Sequence, residues 1–146
     1  MKTVKVVGKL FWAKHMTEPN TQFNPDNTKY EICIGGLDDL TVKRLTTELN
    51  IKVKERAGDE YGRGHYIVAK TSFKIKAVDS EGKEVDASAI GNGTVASCTL
   101  SSFLHRMSDK HGYGVSIVHS ASIPALIIKE LVSYTEPAPV EEDIVL

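Results

Sequence analysis

Residues 65–77 read HYIVAKTSFKIKA and alternate in type along almost their whole length. Successive side chains on a strand face opposite sides of a sheet. Ile67, Ala69, Phe73, Ile75 and Ala77, with the small Thr71 among them, therefore make one apolar face. Tyr66, Val68, Lys70, Ser72, Lys74 and Lys76 make the other. Three lysines with a ring at one end suit a surface that follows a phosphate backbone and offers a flat face to a base. They also suit a solvated strand face that only keeps the chain soluble.

Other segments repeat the combination of cation and ring. In 3–14, Lys5, Val7, Lys9, Phe11 and Ala13 share one strand face, while Val4, Val6, Leu10 and Trp12 share the other. Lys14 follows. Gly8 marks a possible bulge, which would shift the register, so alternation leaves open which of Phe11 and Trp12 is core. IKVKER at 51–56 puts Lys52, Lys54 and Arg56 on one face of a possible strand, and Tyr113 lies between glycines in a polar loop with Arg106 and Lys110 close by.

Catalytic chemistry finds little support. The five histidines are scattered, and no His or Cys spacing resembles a zinc site. No Ser or Cys stands in a nucleophile motif. Asp38-Asp39 reads as a helix start rather than paired catalytic acids. Glu81-x-Lys83 reads as a turn rather than half of a metal-dependent nuclease site. The glycine-rich AGDEYGRG at 57–64 lacks a P-loop pattern.

The elements that must position these residues follow from composition and pattern. With 146 residues, 41% hydrophobic and 25% charged, the chain suits one globular domain. No apolar run approaches the roughly 18–20 residues of a membrane span. The lysine-interrupted N-terminus is no signal peptide, so a cytosolic setting is expected. Cys33 and Cys98 then read as buried free thiols. The segment 136–146 holds Glu136, Glu141, Glu142 and Asp143 and no Lys or Arg. Without those four, 15 of the 19 acids remain against 18 bases, so residues 1–135 carry +3 ahead of an acidic tail.

TEPNTQFNPDNT at 17–28 is a loop in which Phe23 is a plug or an exposed ring. KYEICI at 29–34 is a strand ended by Gly35-Gly36. Residues 37–50 form a helix capped by Asp38 or Asp39, with Leu37, Leu40, Leu45 and Leu49 as its stripe and Asn50 at its end. Residues 78–85 form a hairpin turning near Glu81-Gly82. A turn at Gly91-Asn92-Gly93 precedes a long strand reaching Phe103. Residues 115–119 and 123–134 complete the core, and 135–146 should be disordered.

GKLFWAK at 8–14, KYEICI at 29–34, YIVAKTSFKIKAVDSEGKEV at 66–85, IGNGTVASCTL at 90–100 and HGYGV before IIKELVSY occur in that order. With the acidic tail, they make the chain resemble the single-stranded DNA-binding proteins of tailed phages, the group typified by phage T7. The resemblance covers most of 4–134. It implies a mostly all-β chain: an OB-fold, a five-stranded Greek-key barrel with one helix and a disordered acidic C-terminal tail. It also implies single-stranded DNA as ligand, a role in phage replication and recombination in the host cytoplasm, and recruitment of the phage polymerase and helicase through the tail. A homodimer is possible on the same ground. The tail ends EEDIVL, without the terminal phenylalanine of the T7 and bacterial proteins.

The reading that results is a non-catalytic, cofactor-free, metal-free DNA-binding domain over 1–135 with a tail over 136–146. Lys70, Lys74 and Lys76 are its phosphate contacts, helped by Lys9, Lys14, Lys52, Lys54 and Arg106. Phe11, Trp12, Tyr66 and Tyr113 are its candidate stacking rings. Glu141, Glu142, Asp143, Ile144, Val145 and Leu146 are its partner-binding tail. The rivals are a β-sandwich virion or assembly protein and a DNA-processing enzyme.

Overall fold

Alternating apolar residues cannot bury both faces of an isolated strand, and this chain solves the problem by wrapping its strands round one interior. The computed structural model describes residues 2–22, 25–56, 58, 62–103 and 114–132. Among these, nine strands and one α-helix form a mostly-strand, OB-like arrangement. The strands are β1 (Val4–Phe11), β2 (Tyr30–Gly35), β3 (Lys54–Arg56), β4 (Gly64–Thr71), β5 (Ala77–Val78), β6 (Glu84–Val85), β7 (Thr94–Phe103), β8 (Gly114–Ile117) and β9 (Leu126–Glu130), and the helix α1 is Asp39–Leu49.

Consecutive pairings close a ring. β1 pairs antiparallel with β2, β2 with β4, β8 with β7, and β7 with β1, while β4 and β8 run parallel. β3 pairs with the start of β4, and β9 joins β7, followed by β5 and β6. The interior is lined by Val4, Val6 and Leu10 of β1, Ile32 and Ile34 of β2, Ile67 and Ala69 of β4, and Ala96, Cys98 and Leu100 of β7. Each large apolar side chain so buried contributes about 1.5–3 kcal/mol. Burial pushes the Cys98 thiol up to about 12, and both cysteines are buried and outside any disulfide.

The structure modifies several expectations. The strand read through 65–77 stops at Thr71, and Ser72 and Phe73 form a bend. Ile75 and Ala77 return to the core, the Ile75 N–H donating to the Met16 carbonyl at 2.9 Å, but Phe73 is 69% exposed. The period-two parity survives the bend although the strand does not. Consequently Lys70 lies on β4, whereas Lys74 and Lys76 lie beyond its end.

Gly8 is no bulge, because the β1–β7 register runs unshifted from Val4 to Leu10. It is a close approach: a Cβ there would lie 2.7 Å from Ile34 Cγ2 and 2.9 Å from the Gly35 oxygen. The register shift falls instead between Val95 and Ala96, where β7 meets β9.

In α1 the Asp38 side chain accepts the Thr41 N–H at 2.8 Å, and the hydrogen bonds from Thr41 hold its carboxyl below the usual value. Asn50 ends the helix in a left-handed conformation. The buried stripe is Leu45 and Leu49 with Val42 packed against the core; Leu40 is exposed. The hairpin at 77–85 forms as expected, with Asp79 accepting the Glu81 and Lys83 N–H groups. The element read at 123–134 narrows to β9, preceded by an exposed Ile123. No described helix is long and apolar enough to cross a membrane.

Candidate nucleic-acid interface

Strand register decides which outward side chains meet. Phe11 pairs with Cys33, and Cys33 with Val68, so the three form one row across the outer face of β1, β2 and β4. One step along β4 on the same face, Tyr66 stands opposite Lys54 of β3. One step the other way, Lys70 stands opposite Glu31. Lys9, two residues before Phe11, is exposed on this face too.

Phe11, Cys33 and Tyr66 form a second apolar cluster, separate from the core, with Trp12 and Val68 packed against it. Parity alone would point Trp12 inward after Leu10. Instead the backbone turns left-handed at Trp12 (φ 55°, ψ 51°), which ends β1 and swings the indole onto the outer face. The Phe11 and Trp12 rings lie 6.0 Å apart at 50°. The left-handed region costs a non-glycine residue on the order of 1–3 kcal/mol, and such strain persists only where the surroundings fix it.

Asn92 supplies part of that fixing. Its Oδ1 accepts the Trp12 N–H at 2.8 Å across 80 residues of sequence. Its own turn is pinned on both sides: the Gly91 N–H donates to the Val132 carbonyl at 2.6 Å, and the Gly93 N–H to the Leu10 carbonyl at 2.9 Å. The Thr94 hydroxyl closes the loop by donating to the Gly91 carbonyl at 2.8 Å.

Arg63 completes the patch. Its Cζ lies 4.7 Å from the Trp12 ring centroid and 5.1 Å from that of Tyr66, within range of cation–π attraction to both. Its neighbours Gly62 and Gly64 have φ of 72° and 55°, a region open to glycine at little cost. Sequence reasoning passed over Arg63 as part of a glycine-rich turn. The available signal was a single cation between two glycines, directly before a strand that carries rings and lysines.

The structure thus brings Lys9, Phe11, Trp12, Lys54, Tyr66 and Lys70 to one face. It leaves Lys14 on a 3₁₀ turn, Ala13–Met16, and Lys52 in the connector before β3, both exposed. Arg106, Tyr113, Phe23 and the tail residues Glu136, Glu141, Glu142, Asp143, Ile144, Val145 and Leu146 lie outside the described residues. Two ring assignments need correction. Phe11 is only 1% exposed and Tyr66 only 9%, because Trp12, Val68 and each other cover them. They form the bed of the patch, and half-exposed Trp12 is its accessible ring. Among the described residues no group of three His, Cys, Asp or Glu could hold a metal ion.

No protein-family model matches the chain, and no curated protein sequence does. Solved structures do. The single-stranded DNA-binding protein of bacteriophage Enc34 in complex with ssDNA superposes with a TM-score of 0.59 at 14% identity, over 88% of this chain and 86% of that one. Its C-terminal truncation gives 0.58 at 12%, over 93% and 88%. The gp2.5 single-stranded DNA-binding protein of bacteriophage T7 gives 0.50 at 15%, over 90% and 93%. The chain has the fold of these phage proteins. At such identities the likeness concerns the backbone, and the side chains of the patch are this chain's own.

Proposed function

We propose that this chain binds single-stranded DNA without reading its sequence, on the outer face of β1, β2 and β4. One observation carries the reading: a half-exposed indole held in a strained backbone over a bed of Phe11 and Tyr66, with the Arg63 guanidinium against it. Every base has a flat face, so stacking on Trp12 is indifferent to sequence and contributes about 1–3 kcal/mol per base. A guanidinium plane also stacks on bases and attracts phosphate. Lys9, Lys54 and Lys70 contact the backbone around this point, and Lys14, Lys52, Lys74, Lys76, Arg106 and Tyr113 extend the path. The chemistry is binding alone, with no cleavage and no cofactor.

The ring of β1, β2, β4, β8 and β7 is, in this reading, the five-stranded Greek-key barrel of an OB-fold, whose ligands lie across its strands. The binding domain spans 1–135. The acidic segment 136–146 recruits replication proteins such as a polymerase and a helicase. The setting is phage replication and recombination in the cytoplasm of an infected bacterium, with the chain able to act as a homodimer. The phage neighbours, one of them bound to ssDNA, support this assignment.

Trp12 is the only tryptophan of the chain, so its emission reports on the patch directly. Titration with oligo-dT should quench it, duplex of the same length should not, and added salt should weaken the binding. Unchanged emission with oligo-dT bound elsewhere would remove the patch from the DNA path.

A further inference from the structure

At the far end of β4 from Tyr66, the bend after Thr71 presents a second ring. Phe73 is 69% exposed, the largest exposure of any large apolar side chain among the described residues. Several contacts orient it. Its N–H donates to Thr71 Oγ1 at 3.3 Å. Its ring meets the His119 imidazole edge-on, with centroids 6.2 Å apart at 68°. Thr71 Oγ1 and His119 Nε2 are 3.5 Å apart, which ties the bend to the segment after β8. The adjoining Ser72 Oγ accepts from Lys29 Nζ at 2.6 Å. Lys70 and Lys74 are exposed on either side of the ring in sequence, and Lys76 follows.

An oriented, exposed aromatic ring among cations is a poor use of a phenylalanine for stability, since water keeps most of its surface. Its neighbours in sequence supply positive charge, as Arg63 supplies it in space at the Trp12 patch. We propose that Phe73 is a second base-stacking station, for the same single strand as it runs along β4 away from Trp12. This rests on the reading of the Trp12 face as a single-strand interface. From Tyr66 to Thr71 the strand rises by about 17 Å at about 3.3 Å per residue. That is about five nucleotides at the roughly 3.4 Å spacing of stacked bases. In sequence, Lys70 lies between the two stations, and Lys74 and Lys76 follow the second.

The distance makes the proposal testable by length. Full-length wild type, Phe73→Ala, Phe73→Leu and Phe73→Trp are titrated by anisotropy with labelled oligo-dT of about four and about twelve nucleotides, spanning the usual footprint of one OB-fold. The alanine and leucine variants should lose about fivefold or more in affinity for the long oligonucleotide, and little for the short one. Phe73→Trp should bind the long one at least as tightly as wild type. Melting midpoints should not move, because so little of the ring is buried. Equal losses at both lengths, no loss at either, or full recovery with leucine would overturn the second station while leaving the first intact. So would a change in sedimentation of Phe73→Ala with unchanged DNA affinity, which would assign the ring to a protein contact. Failure of wild type to bind either length would overturn the single-strand reading itself, and this station with it.

Discussion

β1, β2 and β4 bury apolar side chains on both faces, and the two buried clusters differ in what covers them. Inside, Leu10, Ile34 and Ile67 are closed over by other strands and by α1, so whole elements shield each side chain. Outside, Phe11 is as fully buried as Leu10, at 1% exposure, and Tyr66 nearly so at 9%. Among the described residues, side chains rather than whole elements pack against them: Trp12 and Val68 on the cluster, and the Arg63 guanidinium over Trp12 and Tyr66. Fractional burial therefore does not separate the core from the proposed site in this molecule. The chemistry of the cover does, since a lid of indole and guanidinium can trade its contacts for those of a base, and a lid of backbone cannot.

The comparison can be broken by substitution. Leu100→Ala, at a fully buried interior position, should cost the most, about 2–5 kcal/mol of folding stability in urea unfolding. The salt dependence of DNA binding by the fraction still folded should stay the same. Trp12→Ala should cost less stability than Leu100→Ala and about 1–3 kcal/mol of binding for a stacked base. Destabilisation matching that of Leu100→Ala, with binding intact, would make the outer cluster a second core and end the distinction. The smallest effect belongs to Asn92→Ala, which leaves the Trp12 N–H without its side-chain acceptor and should cost roughly 0.5–1.5 kcal/mol of stability, the net worth of one hydrogen bond. It should also lower the steady-state anisotropy of Trp12 in the free protein. Asn92→Asp retains an acceptor oxygen and should recover most of that anisotropy.

Pattern in the sequence carried the strands well, wherever one face met a continuous interior. Val4, Val6 and Leu10 alternate in sequence and line the core in space, as do Ile67 and Ala69. It failed where the backbone left the period. Trp12 keeps the parity of a core residue, yet a left-handed turn rotates it outward. Phe73 keeps the parity of the core face and is bracketed by Thr71 and Ile75, but the bend between them turns it to solvent. In both cases parity alone points inward an aromatic ring that is proposed to meet DNA, although for Trp12 the sequence left the choice with Phe11 open. Arg63 had no period to read at all, and its place depends on two flanking glycines and on rings that are distant in sequence. The lysines illustrate the converse: Lys70, Lys74 and Lys76 look like one face in sequence but are divided by the end of β4.

The pairing of Val4 with Leu100 and of Leu10 with Thr94 sets a timetable for synthesis. A ribosome adding about 5–20 residues per second needs on the order of 5–20 seconds to deliver β7 after β1 has emerged. Over that interval β1 lacks its longest partner, and its alternating valines form the kind of exposed strand that pairs with other chains. Lys5 and Lys9 punctuate it with charge, the usual guard against such pairing. The same lysines that border the outer face in the finished protein would thus serve earlier, keeping nascent copies on neighbouring ribosomes of one message apart until the ring can close.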